Sequence, residues 1–140
     1  MIQKLQETEI NKTAEIWLDT NIKAHHFISA QYWKDHFEMV KELFLQAELY
    51  VYEEENEIQG FIGLSENDIA GIFVRSGAQS KGIGKQLLDF VKGLKTQLSL
   101  CVYQKNIRAI QFYQREGFEI QGEGTDQDTG EKEYTMRWKR

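Results

Sequence analysis

Between Val74 and Val91 the chain reads VRSGAQSKGIGKQLLDFV, with Gly77, Gly82 and Gly84 just ahead of an apolar-periodic run. Residues of these types at the mouth of a helix suit an anion. The first turn of a helix leaves backbone N–H groups unpaired, and the helix dipole adds partial positive charge there. Glycine permits positive φ and lets a phosphate approach the backbone closely. Lys81 and Lys85 flank the loop with charge, and the Gln79 amide can donate. Two common phosphate loops are excluded. A Walker loop needs a lysine after its second glycine, and Ile83 stands there behind Gly82. A dinucleotide fingerprint begins at Gly82 and Gly84, but Leu87 occupies its third small position. A different phosphate loop and a plain glycine-rich turn both remain open at this point.

Three other side chains have types that do acyl or proton chemistry. His25, with an unperturbed pKa near about 6.5, suits a base, a loop-packing residue or a contact to a substrate. Its neighbour His26 is a lesser candidate. Cys101 lies in the apolar run LSLCVY with no evident base beside it, so it reads as a buried, inert thiol. Tyr113 taken alone reads as packing between a helix and a sheet. Trp17, Phe27, Tyr32 and Trp33 gather in the segments around His25 as core or as the wall of a pocket.

These residues need elements to position them. Ile2 and its neighbours suit a first short strand. Thr8 is the expected N-cap of a helix running to about Ile22, with Ile10, Ala14, Trp17 and Leu18 at helical spacing. Ser29 is expected to cap a second helix carrying Trp33, Phe37, Val40, Phe44 and Ala47 on one face. LYVYEEENEIQGFIGL then reads as two strands with Asn56 in the turn, and Ile69 to Val74 as a third antiparallel strand. After the glycine loop, Ile83, Leu87, Leu88, Val91 and Leu94 form one helical face. LSLCVY, from Leu98 to Tyr103, looks like a strand buried on both sides, reached by a right-handed parallel crossover. Asn106 caps a short helix that Gly117 stops, and two last strands flank a turn at Asp128 to Gly130.

Bulk properties bound the rest. The 140 residues suffice for one domain with one core. A net charge of −5 without a basic face argues against a nucleic-acid partner. No apolar run reaches the roughly 20 residues that span a bilayer, the N-terminal stretch lacks a secretory h-region, and the single cysteine fits a reducing compartment. A cytoplasmic protein without a membrane partner is the expectation.

The loop Gln79-Ser80-Lys81-Gly82-Ile83-Gly84 resembles the Q/R-x-x-G-x-G/A loop of the GNAT acyl-CoA-dependent N-acetyltransferases. The preceding GIFV resembles that family's fourth strand. Downstream, the family pattern N-x-x-A-x-x-F-Y-x-x-x-G-F is matched by Asn106, Ala109, Phe112, Tyr113, Gly117 and Phe118. The segment from Ala14 to Trp33, and the C-terminal stretch through Asp128, Glu131 and Tyr134, are similar to a YjaB-like bacterial branch of the family.

The resemblance implies an α/β GNAT fold over residues 1–140: a mixed, mostly antiparallel sheet of about seven strands, four flanking helices, and splayed parallel strands four and five. It implies transfer of an acetyl group from acetyl-CoA directly to a primary amine of a small molecule or a peptide. A non-catalytic acyl-CoA-sensing module on the same fold is the alternative. It implies that Gln79, Ser80, Lys81, Gly82, Ile83, Gly84 and Lys85 hold the cofactor pyrophosphate. Ile72, Phe73 and Val74 would pair with the pantetheine arm, which Asn106, Ala109 and Phe112 also line. Tyr113 would protonate the leaving thiolate. Arg108 and Arg115 could reach the cofactor phosphates, with surface charge the simpler reading. The family's fourth-strand acid is missing, since Ala70 and Gly71 stand near its place and Asp68 and Glu66 lie earlier in a turn. His25 is therefore carried as base or as acceptor contact. No metal site is implied, and a homodimer is left open.

Overall fold

The computed structural model describes residues 1–140. Its strands are β1 (Ile2–Lys4), β2 (Glu48–Glu54), β3 (Glu57–Ser65), β4 (Asp68–Val74), β5 (Gln97–Tyr103), β6 (Glu119–Thr125) and β7 (Lys132–Lys139). Its helices are α1 (Ile10–Ala24), α2 (Ala30–Asp35), α3 (Phe37–Gln46), α4 (Ile83–Lys92) and α5 (Ile107–Arg115). The strands form one sheet in the order β1-β2-β3-β4-β5-β7-β6. Only β4 and β5 run parallel. None of the helices is long and apolar enough to cross a membrane.

The period-2 pattern of β2 and β3 sorts their side chains onto two faces. Tyr50, Ile62 and Leu64 join Leu87, Leu88 and Val91 of α4, together with Ile110 and Tyr113 of α5, in the larger core. Leu49, Val51 and Phe61 point the other way, to Ile16 of α1 and Phe44 of α3. The sheet is thus covered on both faces over β2 to β4. The β2–β3 turn is made by Glu55 and Asn56, both at positive φ. Two such residues suit the twist of a tight hairpin.

Four expectations are corrected. The first helix does not start from a Thr8 cap. Thr8 sits in a 3-10 turn, Glu7–Glu9, and the Glu9 carboxylate accepts the Gln6 N–H at 2.9 Å. The helix expected behind Ser29 is two helices, making five in all rather than four. The Nδ1 of His36 takes the Tyr32 carbonyl at 2.6 Å, and the His36 N–H turns instead to Trp33 O at 3.2 Å. A side chain competing for the i−4 carbonyl breaks the ladder there. Leu94 is exposed, because α4 stops at Lys92. Cys101 is exposed as well. Leu98, Leu100 and Val102 face the core, so Cys101 between them points to the opposite face of β5, where neither core cluster covers it.

The parallel pairing is short. Asp68 faces Ser99 and Ile69 faces Leu100, and no pair follows. The splay begins where β4 carries a bulge: Gly63 pairs with Gly71 and Leu64 with Ile69, leaving Ala70 unopposed. A bulge bends its strand and increases its twist. Beyond Ala70 the β5-facing edge of β4 therefore has no partner strand. A Cβ at Gly71 would overlap the Phe73 ring, so a larger residue at the bend needs that ring to move.

Candidate active site

Gly82 opens α4 at φ +83, and Ser80 two residues earlier has φ +65. Such turns aim successive N–H groups into one concavity. The helices α2 and α5 also begin from loops, and Ser29 and Asn106 cap them with side-chain oxygens. No side chain caps α4. Its first N–H groups are left for something else. Gln79 staples the loop, donating from Nε2 to Val74 O at 2.9 Å. Arg108 donates to Ser80 Oγ at 3.0 Å. Lys85 bridges Asp89 and Glu116, each at 3.1 Å, and these partners raise its pKa. Lys81 forms no ion pair.

A cavity of about 780 Å³ lies over this loop. Val74, Gln79, Ser80, Gly82, Ile83, Gly84 and Lys85 line it, with Phe112, Arg108 and Arg115 from α5. A second cavity of about 280 Å³ lies on the other side of the splay. Its walls include Trp17, His25, Trp33, Phe73, Cys101, Tyr103 and Glu133, with Ala70 and Gly71 at the bulge. Ile72, Asn106, Ala109 and Tyr113 line both. The structure thus gathers the expected site residues around one junction, except Lys81, which lines neither cavity.

Tyr113 is buried at that junction, its ring edge-on to Phe112 and Phe118. Burial raises its pKa, so the phenol stays protonated through the neutral range. Its hydroxyl makes no hydrogen bond within the chain.

Asn106 fixes the protonation of its neighbours. Its Oδ1 accepts the Ala109 N–H at 3.2 Å. Its amide nitrogen therefore donates to His25 Nε2 at 3.1 Å. His25 then carries its proton on Nδ1 and donates to Asn21 Oδ1 at 3.0 Å. Asn21 Nδ2 completes the chain to Trp17 O at 2.9 Å. Burial pushes the His25 pKa down to about 4. Between the unfolded value of about 6.5 and that value, the unfolded state binds the extra proton, so stability falls as pH falls. The melting temperature should drop from pH 6.5 toward pH 4, and less steeply in His25→Gln; equal slopes in both proteins would remove His25 as the cause.

The Cys101 thiol is accessible but its pKa is raised, first by desolvation, so it is not a poised nucleophile. Glu133 was missed from sequence. Its carboxylate forms no ion pair and no side-chain hydrogen bond, and burial followed by the charge of Asp126 raises its pKa. The signal available was its place one strand away from Tyr103, a pairing that only the folded register makes.

Residues 46–120 match the family model described as Acetyltransferase (GNAT) domain. The chain is 36% identical over 140 residues to the peptidyl-lysine N-acetyltransferase YiaC of Escherichia coli (strain K12), covering 99% of this chain and 96% of that one. The solution structure of apo YjaB from Escherichia coli superposes with a TM-score of 0.87 at 23% identity, covering 99% of this chain and 96% of that one. The PaiA N-acetyltransferase of Thermoplasma acidophilum, solved with coenzyme A, superposes with a TM-score of 0.83 at 17% identity, covering 100% and 98%. This chain belongs to the GNAT acetyltransferase family and is an acetyl-CoA-dependent N-acetyltransferase.

Proposed function

We propose that the enzyme acetylates the side-chain amine of lysine in a peptide or protein, by direct transfer within one domain spanning the chain. The observation that carries this reading is the meeting of the two cavities at Ile72, Asn106, Ala109 and Tyr113. Acetyl-CoA enters from the larger one and the amine from the smaller. The smaller cavity suits a lysine: Trp17, Trp33, Phe73 and Tyr103 offer apolar walls to a methylene stem, and Glu133 offers a charge to its ammonium head. The name of the relative YiaC points to the same acceptor.

In this arrangement the uncapped start of α4 holds the pyrophosphate. The free edge of β4 beyond Ala70 pairs with the pantetheine arm, and a fixed N–H there stabilises the oxyanion as it forms. Asn106 lines the path of the arm, and His25 orients Asn106 rather than acting as base, because its one lone pair is already engaged. A sensing module on the same fold is not favoured, since a relative spanning the chain is named as a transferase. The test is incubation with acetyl-CoA and a panel of lysine peptides, N-terminal amines and small amines, read by thiol release and peptide mass. Acetylated lysine is expected. Turnover confined to N-terminal or small amines would overturn the acceptor.

A further inference from the structure

We propose that Glu133 on β7 is the general base of the transfer, taking a proton from the acceptor ammonium inside the aromatic cavity. This role rests on the lysine reading above. Four groups compete for it, and the geometry removes three. Asp68 is held by the Ser99 hydroxyl at the start of the splay and lines neither cavity. Glu66 sits in the β3–β4 turn at φ +57, also outside both. His25 lines the smaller cavity, but its Nε2 lone pair is occupied by the Asn106 amide.

Glu133 is the only carboxylate on the walls of that cavity, and Tyr113 lines it too. Its surroundings leave it free. On β5 its register partner is Tyr103, whose hydroxyl is turned to Asp126 Oδ2 at 2.6 Å. On β6 its register partner is Gly124, which has no side chain to lay over it. The nearby Lys105 is committed to Glu131 at 3.0 Å. The titratable groups around the cavity are Cys101 and Tyr103 from β5, His25 at the end of α1 and Tyr113 from α5, with Asp126 following β6. None of these is cationic, because His25 is neutral. An arriving ammonium therefore meets a carboxylate with no competing cation. Burial and Asp126 raise the Glu133 pKa, which makes it a better proton acceptor than an ordinary surface glutamate.

The step balances. The ammonium gives one proton to the Glu133 carboxylate, and the freed amine forms the N–C bond at the thioester carbonyl. The C–S bond then breaks with its electron pair going to sulfur. Tyr113 protonates that sulfur and recovers the second proton from the nitrogen. The products are the acetamide, the free thiol of coenzyme A, and one proton that Glu133 returns to solvent.

Steady-state kinetics of Glu133→Gln with acetyl-CoA and a lysine peptide test the assignment. At neutral pH, kcat/KM for the peptide should fall by about 100-fold or more, with KM for acetyl-CoA unchanged. The deficit should shrink as pH rises toward about 10.4, where the lysine amine deprotonates unaided. Glu133→Asp should restore part of the rate. A deficit that is constant with pH, one confined to KM for the peptide, or a rate within about three-fold of wild type would overturn it, given a positioned base's usual contribution. Should the wild type ignore lysine peptides and acetylate another amine, the lysine reading fails alone. The same comparison on that amine then decides Glu133 by the same criteria.

Discussion

Gly82→Val should fold and fail to bind acetyl-CoA. Gly82 sits at φ +83, where an L-residue costs roughly 1–2 kcal/mol and a β-branched one somewhat more. That penalty is local, since a Cβ built there meets no protein atom within 4 Å. The space it would fill is the mouth of the larger cavity, directly over the uncapped start of α4. The valine methyls would stand where the phosphate must reach the N–H groups. For the wild type, saturation at about 100 times Kd contributes about 2.7 kcal/mol and should raise Tm by several degrees. For Gly82→Val, the shift should vanish and calorimetric titration should show no saturable binding at millimolar acetyl-CoA. Gly82→Ala separates the two effects. It carries most of the backbone cost with far less bulk, so its affinity should lie between the two. Wild-type affinity in the valine variant would move the pyrophosphate site away from this loop.

The loop was legible because its chemistry is local. Glycines, flanking lysines and the following apolar period all lie within one stretch, and Asn106 to Phe118 is a second such stretch. The strands were legible for the same reason, since period-2 alternation and tight turns are read over a few residues. What stayed hidden depends on contacts far apart in the chain. LSLCVY looked buried on both sides, yet only Leu98, Leu100 and Val102 enter the core, and Cys101 on the other face is exposed. His25 reads from the sequence as base, packing residue or substrate contact, and only Asn106, 81 positions away, decides among them by occupying its lone pair. Glu133 lies in a strand of alternating polar and apolar residues, which reads as an ordinary surface strand. Only the β5–β7 register brings it beside Tyr103 and into the cavity. At Ala70 and Gly71 the chain keeps small residues, and the Phe73 ring occupies the space that a side chain at Gly71 would take.

Tyr113→Phe should separate chemistry from binding. The substitution keeps the ring that packs against Phe112 and Phe118 and deletes one hydroxyl. That hydroxyl has no hydrogen-bond partner in the chain, so its loss leaves no buried group unsatisfied and Tm should hold. A residue that only filled space would show no further change. As the acid, Tyr113 supplies a proton to the sulfur as the C–S bond opens. A thiolate expelled without a proton donor beside it is a poor leaving group. A positioned acid contributes roughly 10²–10⁴ in rate, or about 2.7–5.5 kcal/mol of barrier. The loss should fall on kcat, with KM for acetyl-CoA near the wild-type value. The pH profile adds a second check. A phenol whose pKa burial has raised stays protonated as pH climbs, so wild-type kcat should show no basic limb below about pH 10, the ordinary phenol value. In kcat/KM, which reports the free enzyme, the acidic limb from Glu133 should lie above the ordinary glutamate value, because burial and then Asp126 raise that carboxyl. A kcat for Tyr113→Phe within about ten-fold of wild type would mean that water protonates the thiolate, and that the tyrosine at the junction is there for its ring alone.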